Sequence, residues 1–75
     1  MSTDPVIAAR TLIRVLERLG FVQVRSKGSH QRFVHPDGRR TTVPVHKGRD
    51  IPRGLLRSIV TQDVGITMRE FFDLL

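Results

Sequence analysis

The sequence predicts an α+β fold in the order α-β-β-β-α-α, a three-stranded antiparallel sheet with helices packed on one face. Two switches of hydrophobic period and one turn carry that expectation. Apolar residues recur at helical spacing up to Leu19, at a spacing of two from Phe21, and at helical spacing again after Pro52. Pro36-Asp37-Gly38-Arg39 supplies a turn between strands, proline pre-setting φ and glycine able to take φ > 0.

The first helix is expected over Pro5 to Leu19. Leu12, Val15, Leu16 and Leu19 line one face with Ala8 and Ala9 a turn earlier, while Arg10, Arg14, Glu17 and Arg18 fall on the others. Asp4 suits the cap, Pro5 the first turn, and Gly20 the stop. Val22 and Val24 alternate with Gln23 and Arg25, which reads as a half-buried strand. A second strand runs from Gln31 to His35 around Phe33 and Val34. The third, Thr41 to Val45, is β-branched, and Pro44 confines it to an edge or a strand end. His46 to Asp50 reads as a polar loop. Leu55, Leu56, Ile59 and Val60 then share a helical face that Gly65 closes. Thr67 and Glu70 form a capping box for a short last helix of about nine residues holding Phe71, Phe72, Leu74 and Leu75. So short a terminal helix must dock to persist.

Seventy-five residues make one domain, expected to span 1–75. A chain of this size buries only about 60% of its unfolded surface, which leaves no room for an enclosed cofactor cavity. No cofactor is expected. The absence of cysteine excludes disulfides and thiolate zinc sites and fits a reducing compartment. No apolar run reaches the length of a membrane span, and Met1-Ser2-Thr3-Asp4 does not open a signal peptide, so a cytoplasmic protein without a membrane partner is expected.

Thirteen basic residues stand against seven acidic ones, a net charge of +6. The excess sits between Arg25 and Arg57, where Arg25, Lys27, Arg32, Arg39, Arg40, Lys47, Arg49, Arg53 and Arg57 face only Asp37 and Asp50. Segregation of this kind is the footprint of a surface that follows a phosphate backbone. Arginine outnumbers lysine 11 to 2, which favours bidentate phosphate contacts. With no Trp or Tyr and four Phe suited to the core, stacking of bases on an aromatic platform is not expected. Structured RNA, read by shape and phosphate, is the better fit.

His30, His35 and His46 lie within that basic stretch. Their spacing contains no local ligand pair, so no metal is expected. Imidazole takes and returns protons near neutral pH, and cations around it stabilise charge built up on phosphorus. Each histidine also has a plain structural use, His35 ending a strand at Pro36 and His46 bonding loop backbone. His30 differs in following Gly28 and Ser29, which let a phosphate approach the backbone. The residues leave three readings open: an RNA-cleaving enzyme, a non-catalytic double-stranded-RNA-binding module, and an interaction protein with an acidic partner.

Leu19-Gly20-Phe21, Arg25-Ser26-Lys27-Gly28-Ser29-His30, His35-Pro36-Asp37-Gly38-Arg39-Arg40, Val43-Pro44-Val45-His46 and Gly54-Leu55-Leu56-Arg57-Ser58-Ile59 together resemble the successive landmarks of HicA-type toxins. These are the small mRNA interferases of HicAB toxin–antitoxin systems. The resemblance covers nearly the whole chain. It implies a double-stranded-RNA-binding-like fold, cleavage of mRNA, one essential histidine at His30, and inhibition by a HicB-type antitoxin that covers the active site. On that reading Arg25, Lys27 and Arg32 contact phosphates, with Arg39, Arg40 and Lys47 extending the RNA surface and Gly28 and Ser29 shaping the approach. Two features depart from the pattern. Many members carry a second histidine where this chain has Gln31, and Thr61-Gln62-Asp63-Val64-Gly65 is one residue longer than the usual helix ending.

Overall fold

The computed structural model describes residues 6–75. Strand β1 (Ile7–Ala8) leads into helix α1 (Ala9–Arg18), followed by β2 (Val22–Lys27), β3 (His30–Val34), β4 (Arg40–Pro44) and β5 (Asp50–Ile51). Helix α2 (Arg53–Ser58) continues without a break into a π-helical segment, Ile59–Val64, and α3 (Met68–Asp73) ends the chain. Strands β2, β3 and β4 form the expected antiparallel sheet in that order, and β1 pairs with β5 in a separate two-stranded ribbon. The fold is α+β as the sequence predicts.

One core lies between the sheet and the helices. Leu12, Val15 and Leu16 of α1 meet Phe33 and Val43 of the sheet, together with Leu56, Ile59, Val60 and Phe71. Burying each such side chain contributes about 1.5–3 kcal/mol. Phe21 and Phe33 belong to this core and Phe72 packs at its margin, so the phenylalanines are spent on packing. The side chain of Arg18 ties the C-terminal end of the chain to α1 by donating to the Leu74 carbonyl at 2.7 Å.

Several boundaries differ from the sequence expectation, each for a physical reason. The helix starts at Ala9 rather than Pro5, because Ile7 and Ala8 pair with Ile51 and Asp50 and place both isoleucines in the core. Asp4 and Pro5, expected to cap and start it, lie outside the described residues. The same pairing takes Asp50 out of the expected loop. Strand β2 is not half-buried: Val22 and Val24 are 60% and 59% exposed. A bulge between Gln23 and Arg25 breaks the alternation, and β2 forms a sheet edge that no helix covers. The last helix has six residues, and its capping box is formed, Glu70 N–H donating to Thr67 Oγ1 and Thr67 N–H to Glu70 Oε1, each at 3.0 Å.

The π-helical turn spans Ile59–Val64, within the segment that the resemblance implies is one residue longer than the usual helix ending. Bonds from i to i+5 widen the coil and absorb an added residue without unwinding the helix. Gly65 N–H donates to the Val60 carbonyl at 2.9 Å. Ile59, Val60 and Val64 stay buried through the change of pitch.

Candidate active site

Position within the sheet decides what each basic residue can do. Phe33 is buried against the helices, so its odd-numbered neighbour Gln31 shares that side, while His30, Arg32 and Val34 point to the opposite, open face. Directly paired residues of antiparallel strands share a face. The open face therefore carries three rows: Lys27, His30 and Pro44; Arg25, Arg32 and Thr42; Val22, Val34 and Arg40. Four cations share this face with an exposed histidine, and none of these rows contains a carboxylate.

The hairpin that presents His30 is tight. Lys27 pairs with His30, leaving Gly28 and Ser29 as a two-residue loop. Gly28 has φ +57°, which fits the type II′ connection with glycine first. Cross-strand Cβ atoms stand about 4.5–5.5 Å apart, so the Lys27 ammonium reaches the surroundings of the His30 ring. Arg25 and Arg32 lie directly opposite each other, an arrangement that like charges disfavour. Arg32 is steadied by donating from Nη1 to Thr42 Oγ1 at 3.0 Å. Repulsion retained in this way suits a surface that receives an anion.

His35 has a different setting. It lies five residues from His30, about 17 Å along an extended strand. Its Nε2 lies 3.0 Å from the Leu19 carbonyl and so carries the proton it donates there. Its Nδ1 accepts from Asp37 N–H at 3.1 Å when the ring is neutral and faces Asp37 Oδ1 at 3.0 Å when it is protonated. The ring edge also packs on Phe21, centroids 5.1 Å apart. With both nitrogens occupied, His35 is a structural tie.

Arg39 is also held at this end. Its Nε pairs with Asp37 at 2.7 Å, Nη1 donates to the Val64 carbonyl at 2.6 Å, and the guanidinium sits 5.2 Å from the Phe21 ring centre. Asp37 is held below its ordinary pKa first by the Arg39 backbone N–H and then by the Arg39 side chain. Grouped with the RNA contacts on sequence grounds, Arg39 has Nε and Nη1 engaged within the fold while its side chain stays about a third exposed. Arg40 remains on the open face, in the row farthest from His30. Lys47 lies off the sheet in the loop after β4, beside Arg10 and Arg49, which the sequence did not single out for RNA contact. Nothing in the spacing of Arg10 relates it to that loop, since only the β1–β5 pairing brings the two together. Among the described residues no group of three or more His, Asp and Glu side chains could hold a metal ion.

The family described as HicA toxin of bacterial toxin-antitoxin matches residues 9–66, which run from the start of α1 past the π-helical turn and include the whole open face. The chain belongs to the HicA toxin family. No curated protein matches the chain as a relative. In this toxin Gln31, the position at which the resemblance implies a second histidine in many members, directs its side chain to the helix side of the sheet. A ring there would not share the open face with His30. Among the described residues no helix is long and apolar enough to cross a membrane.

Proposed function

We propose that this HicA toxin is an mRNA-cleaving endoribonuclease in which His30 performs general acid/base chemistry on the open face of the sheet. The observation that carries the reading is the carboxylate-free surface that Arg25, Lys27, Arg32 and Arg40 share with an exposed histidine. RNA lies across the rows, its phosphates facing the cations and Gly28 and Ser29 leaving room for the backbone. His30 takes the proton of a 2′-OH, the 2′-oxygen attacks the adjacent phosphorus, and the bond to the 5′-oxygen breaks. The leaving oxygen takes a proton in turn, leaving a 2′,3′-cyclic phosphate and a 5′-OH. Lys27, in the same row as His30, opposes the negative charge that builds on the phosphoryl oxygens. His46 stands two residues beyond Pro44, the cross-strand partner of His30, and is exposed, which supports it as a candidate to return the proton. The toxin works as a single domain in the cytoplasm and is neutralised there by a HicB-type antitoxin that covers this face, an acidic surface meeting a basic one.

The test is cleavage of a transcript by the purified toxin with and without EDTA. Cutting is expected to persist in EDTA, to spare DNA, which lacks the 2′-OH, and to disappear in His30→Ala. A His30→Ala variant that cuts at the wild-type rate would reassign the base. Binding of RNA with no cleavage by wild type would leave a double-stranded-RNA-binding module.

A further inference from the structure

A cavity of about 420 Å³ opens between the start of α1 and the loop joining β4 to β5. Its walls are small and apolar, Ala8, Ala9 and Val45, and its rim is cationic, with Arg10, Lys47 and Arg49 beside His46. Asp50 is its single carboxylate. Among the described residues the side chains of Arg10, Lys47 and Arg49 have no ion-pair partner. The lining has no Phe, Tyr or Trp, its one ring being the imidazole of His46, and its size and chemistry suit a sugar–phosphate unit.

The cavity lies at the end of the sheet that carries His30. Val45 N–H donates to the Ser29 carbonyl, and Pro44 pairs with His30, so the loop leaves the sheet at its His30 end. Two Cα steps of about 3.8 Å separate His46 from Pro44. With a cross-strand distance of about 5 Å, the rim begins within about 13 Å of the His30 Cα. A strand of RNA held at His30 reaches it within a few nucleotides. The first turn of α1 carries neither a side-chain cap nor an acidic residue, so nothing of its own opposes an anion there.

We infer that this cavity is a second subsite for the RNA, holding the sugar–phosphate of a nucleotide that flanks the scissile bond. The inference rests on the open face being an RNA site. Arg10, Lys47 and Arg49 hold the phosphate, and the alanine and valine walls pack on the ribose. The subsite accepts any base and adds length dependence rather than sequence preference.

The experiment is amide NMR of the His30→Ala toxin, titrated separately with a single-stranded RNA 12-mer and with inorganic phosphate. The RNA is expected to shift the amides of Ala9, Arg10, Gly48 and Arg49 together with those of Ser29 and Arg32. The double change Arg10→Ala/Arg49→Ala, made in the same background, should abolish the cavity shifts. It should also lower the slope of log affinity against log salt by about 1.4, or 0.7 for each lost contact to a single strand. RNA that moves only the sheet amides would overturn the subsite and leave the active-site reading standing. RNA that moves neither set would overturn both. Inorganic phosphate that moves the cavity while RNA does not would make this a free-anion site and overturn its assignment to the substrate.

Discussion

The two ends of the β2–β3–β4 sheet are made from similar residues and put to opposite use. Each has a histidine, a glycine turn and neighbouring arginines. At the His35 end the polar groups are spent on one another: the imidazole bridges Leu19 and Asp37, and Arg39 joins Asp37, Val64 and Phe21. At the His30 end the side chains of His30 and Lys27 face solvent, and Arg25 opposes Arg32 with no acid between them. One end stitches α1, the sheet and the π-helical turn together. The other keeps like charges uncompensated, which fits the RNA surface proposed for it.

Exchanging the two histidines for alanine in turn should separate these uses most sharply. His30→Ala is expected to lower the cleavage rate by at least the roughly 10² to 10⁴-fold that general acid/base catalysis supplies, with stability changed by no more than about 0.5 kcal/mol. His35→Ala should do the reverse. Loss of a part-buried ring with both nitrogens bonded costs about 1–3 kcal/mol, or a fall in Tm of roughly 4–8 °C per kcal/mol for a chain this size, with the rate of the folded fraction retained. Melting curves and single-turnover cleavage on both variants check the pair. A rate loss of equal size in the two would dissolve the contrast.

The glycines at the two ends sharpen it further. Gly20 has φ +102°, and a Cβ there would stand 2.9 Å from His35 Nε2 and 3.3 Å from its Cδ2. Gly28 has φ +57° with nothing within 4 Å of a Cβ. Gly20→Ala therefore meets both a forbidden backbone region and a ring held in place by two hydrogen bonds. Its expected cost is the upper part of the roughly 1–3 kcal/mol range for backbone strain, and Gly28→Ala the lower part. Denaturant midpoints measured on both should rank them in that order. An equal cost would mean that the His35 ring yields to the added methyl.

Much of this contrast was legible in the sequence, and its limits follow from long-range pairing. Periodicity and turn chemistry gave the three-stranded sheet, the Gly65 stop and the Thr67–Glu70 capping box, because those signals act within a few residues. The short β1 was hidden, since Ile7 and Ala8 fit a helical stripe and only the partner β5, some forty residues on, makes them a strand. Val22 and Val24 alternate as a half-buried strand does, but burial depends on a helix being there to cover them, and the bulge after Gln23 leaves no trace in composition. The basic stretch contains the residues of the open face, yet charge counting could not tell Arg39, which Asp37 and Val64 retain, from Arg40, which faces outward. The π-helical turn before Gly65 has no signal in the helical periodicity, because Ile59, Val60 and Val64 stay buried through the change of pitch.

Acid titration should show the smallest difference. Asp37 is held below its ordinary value of 3.8, chiefly by the Arg39 backbone N–H and with help from the Arg39 guanidinium and His35. Glu70 is held below 4.5 by the Thr67 backbone N–H and hydroxyl of the capping box. Each folded-state carboxyl thus binds its proton less readily than the unfolded chain does. Both contributions are full above those ordinary values and fade as pH falls past them through the lower folded values, so stability declines on acidification below about pH 4.5. Both groups are exposed and screened, and the effect is modest. Asp37→Asn should flatten the part of the decline that begins near pH 3.8, and Glu70→Gln the part that begins near 4.5. Neither change touches the His30 end, so RNA affinity of the His30→Ala toxin at neutral pH should be the same with and without them. Urea midpoints between pH 2.5 and 6 read the first expectation and RNA titration the second. An Asp37→Asn protein with the wild-type acid slope would show that the Asp37 carboxylate does not hold the His35 end together, leaving Arg39 to do so through Val64 and Phe21 alone.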